Sequence, residues 1–154
     1  MRKVAKILAP TDFSELGWAG VRCAFETAKS QGAEVLVYHV IAVGDGLFSR
    51  DDESNPGLAL VPEEQRRLEA YIEEHFSGYR PAVRIRAVVE PGSPPRRIVE
   101  KATEEKADLI VMSTHGRTGL NHILLGSVAE KVLSAAPCPL LVIPRAAAGG
   151  SPMV

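Results

Sequence analysis

Cysteine is nearly absent: Cys23 and Cys138 are the only two in 154 residues, and they lack C-x-x-C spacing. That excludes a disulfide framework and a thiolate zinc site, and leaves both thiols as small packing groups. Aromatic residues make up only 5% of the chain, which argues for a core of Val, Ile, Leu and Ala rather than a ring-rich β-sandwich. Neither sign of charge is in excess, with 18 Lys and Arg against 19 Asp and Glu. The field of the whole molecule therefore gives no reason to expect nucleic acid or an anionic membrane as partner. No apolar run approaches the roughly 20 residues that span a bilayer. The apolar start is broken by Pro10 and Asp12, too early for a signal peptide. A cytoplasmic protein is expected, and any anion it binds must be held by local geometry.

Several nucleotide and catalytic signatures are missing as well. No G-x-x-x-x-G-K-[ST] occurs, which excludes a P-loop, and no G-x-G-x-x-G follows the first apolar run. Gly44 and Gly46 lie in a polar stretch and do not open a helix. There is no G-x-S-x-G elbow. A phosphoacceptor receiver domain needs Asp after its third strand and Lys after its fifth, where this chain has Glu90-Pro91 and Pro144-Arg145.

What remains is a regular alternation. Short apolar runs at 4–9, 34–43, 82–89, 107–113 and 139–143 are mostly continuous, as in parallel strands covered on both faces. The third alternates at first, which fits an edge strand. Between them lie helical patterns. Ser14 is placed to cap a helix ending at Gly32, with Trp18, Val21, Phe25 and Ala28 on one face. A second helix starts near Pro62 and carries Leu68, Tyr71, Ile72, Phe76 and Tyr79. A third follows Ser93 with Pro94 and Pro95 in its first turn and buries Ile98 and Ala102. A fourth starts at Ser127, whose spacing to Glu130 predicts a capping box, and Pro137 closes it. The β-α-β-α-β-α-β-α-β order predicts an α/β domain with right-handed crossovers, at residues 1–145. Residues 146–154 read as a frayed tail. The polar stretch 44–61 is a lid or a plain surface excursion.

Ligands of open parallel sheets bind outside the carboxyl ends of the strands. Two segments fall there: Pro10-Thr11-Asp12-Phe13-Ser14 after the first run, and residues 113–127 (S-T-H-G-R-T-G-L-N-H-I-L-L-G-S) after the fourth. A strand, a loop containing glycine and a helix start is the arrangement that binds phosphate through backbone N–H groups and the helix dipole. Gly116 and Gly126 allow close backbone approach, Ser127 has a hydroxyl to donate, and the N–H groups of Ser127 and Val128 are unpaired at a helix start. Arg117 adds a charge-assisted contact. Asp12 is placed to meet ribose hydroxyls or a phosphate-bound Mg²⁺, or simply to start the first helix. His115 and His122 have no partner at ligand spacing and read as bystanders. No activated nucleophile or general base stands out, so any hydrolysis is expected to be slow.

Together these residues resemble the universal stress protein family across nearly the whole chain. The likeness runs through Ile7-Leu-Ala-Pro-Thr-Asp-Phe-Ser14, His39-Val40 and Glu90-Pro-Gly92. It continues in Ala107-Asp-Leu-Ile-Val-Met112, Thr114-His-Gly-Arg117, Leu124-Leu-Gly-Ser-Val-Ala-Glu130 and Ala136-Pro-Cys-Pro-Leu-Leu-Val142. The nucleotide-binding branch of that family has the pattern G-x-x-G-x₉-G-[ST]. Gly116, Gly126 and Ser127 match it, while Ser113 replaces the first glycine and brings a Cβ that restricts φ.

The resemblance implies a Rossmann-like sheet of the adenine nucleotide alpha hydrolase type, a single open five-stranded parallel sheet in the order 3-2-1-4-5 with helices on both faces. It implies ATP with Mg²⁺ as ligand. Pro10, Thr11 and Asp12 would lie at ribose or phosphate, the Val40 backbone at adenine, and Met112 and Ser113 beside the nucleoside. Gly116, Arg117, Gly126, Ser127 and Val128 would hold the phosphates, with Mg²⁺ bound mainly through phosphate oxygens. It further implies a homodimer through the fifth strand, between Pro139 and Pro144, and a protein partner responsive to nucleotide. A nucleotide-free dimeric interaction module of the same fold is the alternative reading, and a slow ATPase is a third.

Overall fold

The first strand, β1 (Lys6–Pro10), is short and almost wholly buried, and the chain leaves it directly into a turn that starts a helix. A computed structural model describes residues 2–43, 52–115 and 125–144. After β1 come α1 (Glu15–Gln31), β2 (Glu34–Ala42), α2 (Val61–Phe76), β3 (Ile85–Gly92), α3 (Pro94–Glu104), β4 (Leu109–Ser113), α4 (Ser127–Ala135) and β5 (Leu140–Ile143). All strand pairs are parallel, in the order β3-β2-β1-β4-β5. The chain runs outward from β1 to β3, then returns to the other side of β1, so the order reverses between β1 and β4. Among the described residues no helix is long and apolar enough to cross a membrane.

Local signals act largely as expected. Ser14 caps α1, its hydroxyl accepting from Gly17 N–H at 3.0 Å, and Gly32 ends it with φ 68°. Trp18, Val21, Phe25 and Ala28 all face the core. The third strand is an edge strand but begins three residues later than the apolar run that predicts it. The N–H groups of Ala82 and Val83 are taken by the carbonyl of Tyr79 in the turn after α2, so pairing with β2 starts only beyond them. Residues 44–51 lie outside the described set, as do 116–124 and 145–154. The described remainder of the polar stretch is more ordered than its composition predicts. Asn55 is buried and its side chain accepts from Gly57 N–H at 3.0 Å, and a 3-10 turn, Leu58–Leu60, leads into α2.

The two faces of the sheet have different cores. One, under α1 and α2, gathers Trp18, Phe25, Tyr71, Phe76 and Tyr79. Trp18 and Tyr71 stack at 3.7 Å and 5°. Scarce as they are, the rings concentrate on this face. The other, under α3 and α4, is aliphatic around Leu8, Leu36, Val40, Ile98, Ile110 and Val132, with Tyr38 its one buried ring.

At the amino-terminal ends of the strands Lys6, Glu34, Arg86 and Glu105 form an ion-pair cluster. Arg86 grips Glu105 with two nitrogens, at 2.8 and 3.1 Å. The Arg86 bond, followed by Lys6, holds the Glu105 carboxyl below its ordinary value of 4.5. A carboxyl whose folded value is depressed contributes stability that is complete above its unfolded value and lost as pH falls through the folded one. Arg86→Met is therefore expected to be less stable than the parent at neutral pH, with the gap closing as pH drops below about 4.5. Urea unfolding measured between neutral pH and pH 3 checks this.

Candidate functional site

The carboxyl ends of β1, β2 and β4 open into a crevice of about 830 Å³ at the point where the strand order reverses. Parallel strands point their unpaired ends at this rim, and α4 starts against it. Pro10, Thr11, Asp12, Val40, Met112, Ser113, Gly126, Ser127 and Val128, all singled out from the sequence, line this one crevice. Gly116 and Arg117 lie outside the described residues.

The β1 end is tightly engaged. Thr11 is buried; its N–H donates to Tyr38 O at 2.8 Å and its hydroxyl accepts from Phe13 N–H at 3.2 Å. Asp12 Oδ1 accepts from both the N–H and the hydroxyl of Ser14. Asp12 thus helps start the helix while standing in the crevice wall. Gly17 makes this possible: a Cβ there would lie 2.8 Å from Asp12 Oδ1 and 2.9 Å from Thr11 Oγ1. Between them Phe13 is held at φ 66°, a conformation that bulky residues rarely adopt and that tends to cluster at ligand sites.

The start of α4 departs from the predicted capping box. Gly126, not Ser127, is the N-cap, and no side chain caps the helix. The cause is a backbone bond from Gly126 N–H to Thr114 O at 2.7 Å, which fixes the last extended residue one position earlier. Gly126 O then accepts the first helical bond from Glu130 N–H at 2.9 Å. Ser127 becomes the first helical residue, and the first-turn N–H groups face the crevice without a capping oxygen. A Cβ on Gly126 would sit 2.7 Å from Thr114 O, so glycine alone fits. Ser113 ends β4 and is not among the residues of positive φ. Its Cβ is therefore unstrained, and its hydroxyl donates to His115 O at 3.0 Å.

Several lining residues are given no site role by the sequence. His39 Nδ1 donates to Thr11 O at 2.8 Å, and Nε2 faces Glu64 Oε2 at 3.6 Å. Arg67 pairs with Glu64 and lies 4.0 Å from the centre of the Phe13 ring, which packs on His39 at 4.4 Å. Glu64 and Arg67 are spaced like any exposed pair on α2; only the packing of that helix over β3, beside β2, brings them to the rim. His115, read from sequence as a bystander, is buried in the crevice wall. On the aliphatic side Ile98 and Pro94 of α3 join Val40 and Met112. Tyr38, also in the wall, donates its hydroxyl to Glu90 at 2.6 Å, and Lys101 reaches the other Glu90 oxygen at 2.7 Å. Burial, then the Glu90 bond, pushes the Tyr38 hydroxyl far above its ordinary value, so it stays a donor.

The crevice therefore pairs an apolar wall with a helix start rich in unpaired N–H groups. That combination suits a ligand with a flat apolar part and an anionic end. Among the described residues no three His, Cys, Asp or Glu side chains cluster to hold a metal. A Mg²⁺ here would depend on oxygens brought by the ligand.

A family model described as the universal stress protein family matches residues 3–144. A universal stress protein of Methanocaldococcus jannaschii is 37% identical over 141 residues, covering 91% of this chain and 82% of its own. Among solved structures, UspA of Lactobacillus plantarum superposes with a TM-score of 0.75 at 21% identity, covering 93% of this chain and 99% of its own, and so attests the fold. The universal stress protein of Archaeoglobus fulgidus in complex with dAMP gives a TM-score of 0.56 at 25% identity, covering 92% of this chain and 99% of its own.

Proposed function

This chain belongs to the universal stress protein family, and from that we propose that its crevice binds ATP with Mg²⁺ as a conformational signal in the stress response. The observation that carries the reading is the uncapped start of α4, where Gly126 is extended and crowded by Thr114 O, opposite Asp12 and Val40 in the same crevice. An adenine nucleotide, dAMP, occupies a relative of the same fold. In this reading Val40 meets the base through its backbone, and Thr11 and Asp12 meet the ribose. The N–H groups of Ser127 and Val128 and the Ser127 hydroxyl take phosphate oxygens, with Gly116 and Arg117 as further phosphate contacts. Mg²⁺, bound with the nucleotide, would supply charge neutralisation to the phosphates. The unstrained Ser113 supports the reading, because the replaced glycine is not needed for backbone conformation here. Isothermal titration of nucleotide-stripped protein with ATP and Mg²⁺ tests it, together with analysis of extracts of unstripped protein. Micromolar or tighter binding is expected. No heat at millimolar ATP and no carried-over nucleotide would overturn it and leave a nucleotide-free interaction module.

The proposal includes a homodimer through β5. Among the described residues that strand is an edge strand paired only with β4, and Leu141 on β5 and Leu133 on α4 are exposed large apolar residues. An apolar unpaired edge is a template for pairing with another chain. Leu141→Lys is expected to convert the dimer to a monomer in sedimentation-velocity runs while the far-UV spectrum is kept. A wild-type monomer at tens of micromolar would remove the dimer from the proposal.

A further inference from the structure

We propose that His115 is a phosphate-binding residue of the crevice, donating a hydrogen bond from Nε2 to the phosphoryl end of the ligand; the proposal rests on the phosphate placement above. His115 is only 7% exposed, yet its Nε2 is the one buried side-chain nitrogen or oxygen among the described residues without a hydrogen-bond partner. Buried polar groups are nearly always paired, and an unpaired one is costly. Its position says what would pair with it. Two bonds tie the segment to the start of α4 and the end of β4: Gly126 N–H to Thr114 O, and the Ser113 hydroxyl to His115 O. The ring edge then flanks Gly126, with Cδ2 3.6 Å from the place a Cβ would take, and Nε2 is the ring atom bonded to Cδ2.

The other nitrogen, Nδ1, lies 3.0 Å from the Thr114 hydroxyl. A hydroxyl both donates and accepts, so Thr114 serves either tautomer. An anion at the helix start selects the one with its proton on Nε2, and Thr114 then donates to Nδ1. The otherwise unpaired nitrogen becomes a donor placed beside the uncapped N–H groups of α4. Those N–H groups are common to any helix start; His115 adds a donor that only an anion seated deep against Gly126 would reach. The consequence is discrimination: His115 favours phosphorylated ligands over the bare nucleoside.

The test uses the full chain with adenosine, AMP, ATP with Mg²⁺ and inorganic pyrophosphate as probes. Asn at position 115 keeps an amide near the place of Nδ1, whereas Gln carries its amide out to that of Nε2. His115→Asn is expected to weaken ATP by about tenfold or more and leave adenosine unchanged, as for a hydrogen bond to a charged group. His115→Gln should recover part of that loss. In ¹⁵N spectra of the wild type, the Nε2 resonance of His115 should move on adding ATP or pyrophosphate and stay put with adenosine. Equal losses for ATP and adenosine would show a purely structural histidine and overturn the proposal. So would ATP binding at parent affinity in both variants with Nε2 unmoved, a result that leaves the ATP site standing. If the wild type binds no nucleotide but pyrophosphate moves Nε2, the ATP reading fails and the His115 site holds. Spectra that no probe moves overturn both.

Discussion

Gly126→Val is expected to weaken ATP by at least about 100-fold, the loss of two backbone hydrogen bonds to phosphate at roughly 1.5 kcal/mol each. The reason is steric before it is electrostatic. Even the first carbon of a side chain would lie 2.7 Å from Thr114 O, the atom that accepts the Gly126 N–H. The valine must break that bond or push the start of α4 away from β4. Either response turns the N–H groups of Ser127 and Val128 off the crevice. The same crowding means the substitution also costs stability, so a fall of several degrees in Tm is part of the expected result. Ser127→Ala separates the two effects. It deletes a hydroxyl from the first helical residue without touching the Gly126–Thr114 contact, and should cost about tenfold or less in affinity with Tm unchanged. Titration calorimetry and thermal melts on the two variants check both numbers. A folded Gly126→Val protein that binds ATP like the parent would place the phosphates elsewhere.

Lys101→Ala is expected to destabilise the fold strongly. Lys101 is a buried cation, its side chain 8% exposed, bonded to Glu90 at 2.7 Å and to Glu104 at 3.2 Å, with the Tyr38 ring 5.5 Å away. Removing one partner of a buried pair typically costs about 3–5 kcal/mol, because the other charge stays behind in a poor solvent. Glu90 keeps the Tyr38 hydroxyl, which favours the lower end, about 3 kcal/mol. For a chain of this size that is a fall in Tm of roughly 10 °C. Replacing both charges, Lys101→Met with Glu90→Gln, should cost less than Lys101→Ala alone, since no buried charge is stranded. Urea unfolding of Lys101→Ala, and of the cycle made by Lys101→Met, Glu90→Gln and their double, checks both expectations. A cost below about 1 kcal/mol for Lys101→Ala would mean that water reaches Glu90 and that the pair behaves as a surface one.

This pair also shows where reading the chain by pattern stops. Lys101 and Arg97 lie on a helix whose apolar stripe, Ile98 and Ala102, is plain in the sequence. Nothing in their spacing says that the two cations are buried as well. They are buried because β3 stands at the sheet edge and brings Glu90 and the Pro91 carbonyl under α3. His39 is similar. It lies within an apolar strand run, and its contacts follow from two elements distant in sequence, the Thr11 carbonyl and Glu64 on α2. The capping box at Ser127 was a local signal outweighed by a long-range bond, Gly126 to Thr114.

Beside the family resemblance, which pointed to the nine described residues that line the crevice, the sequence by itself determined the element types, their order and the caps of α1. These depend on near neighbours: apolar periodicity, a capping hydroxyl, proline in a first turn, and the rule that parallel strands present their carboxyl ends on one side. Only the tertiary structure decided which face of the sheet holds the rings, where β3 begins, which residue caps α4, and that His115 is buried beside Gly126. Those outcomes depend on contacts between segments far apart in the chain, where a single carbonyl or a missing Cβ shifts the balance, and no local pattern records such a contact.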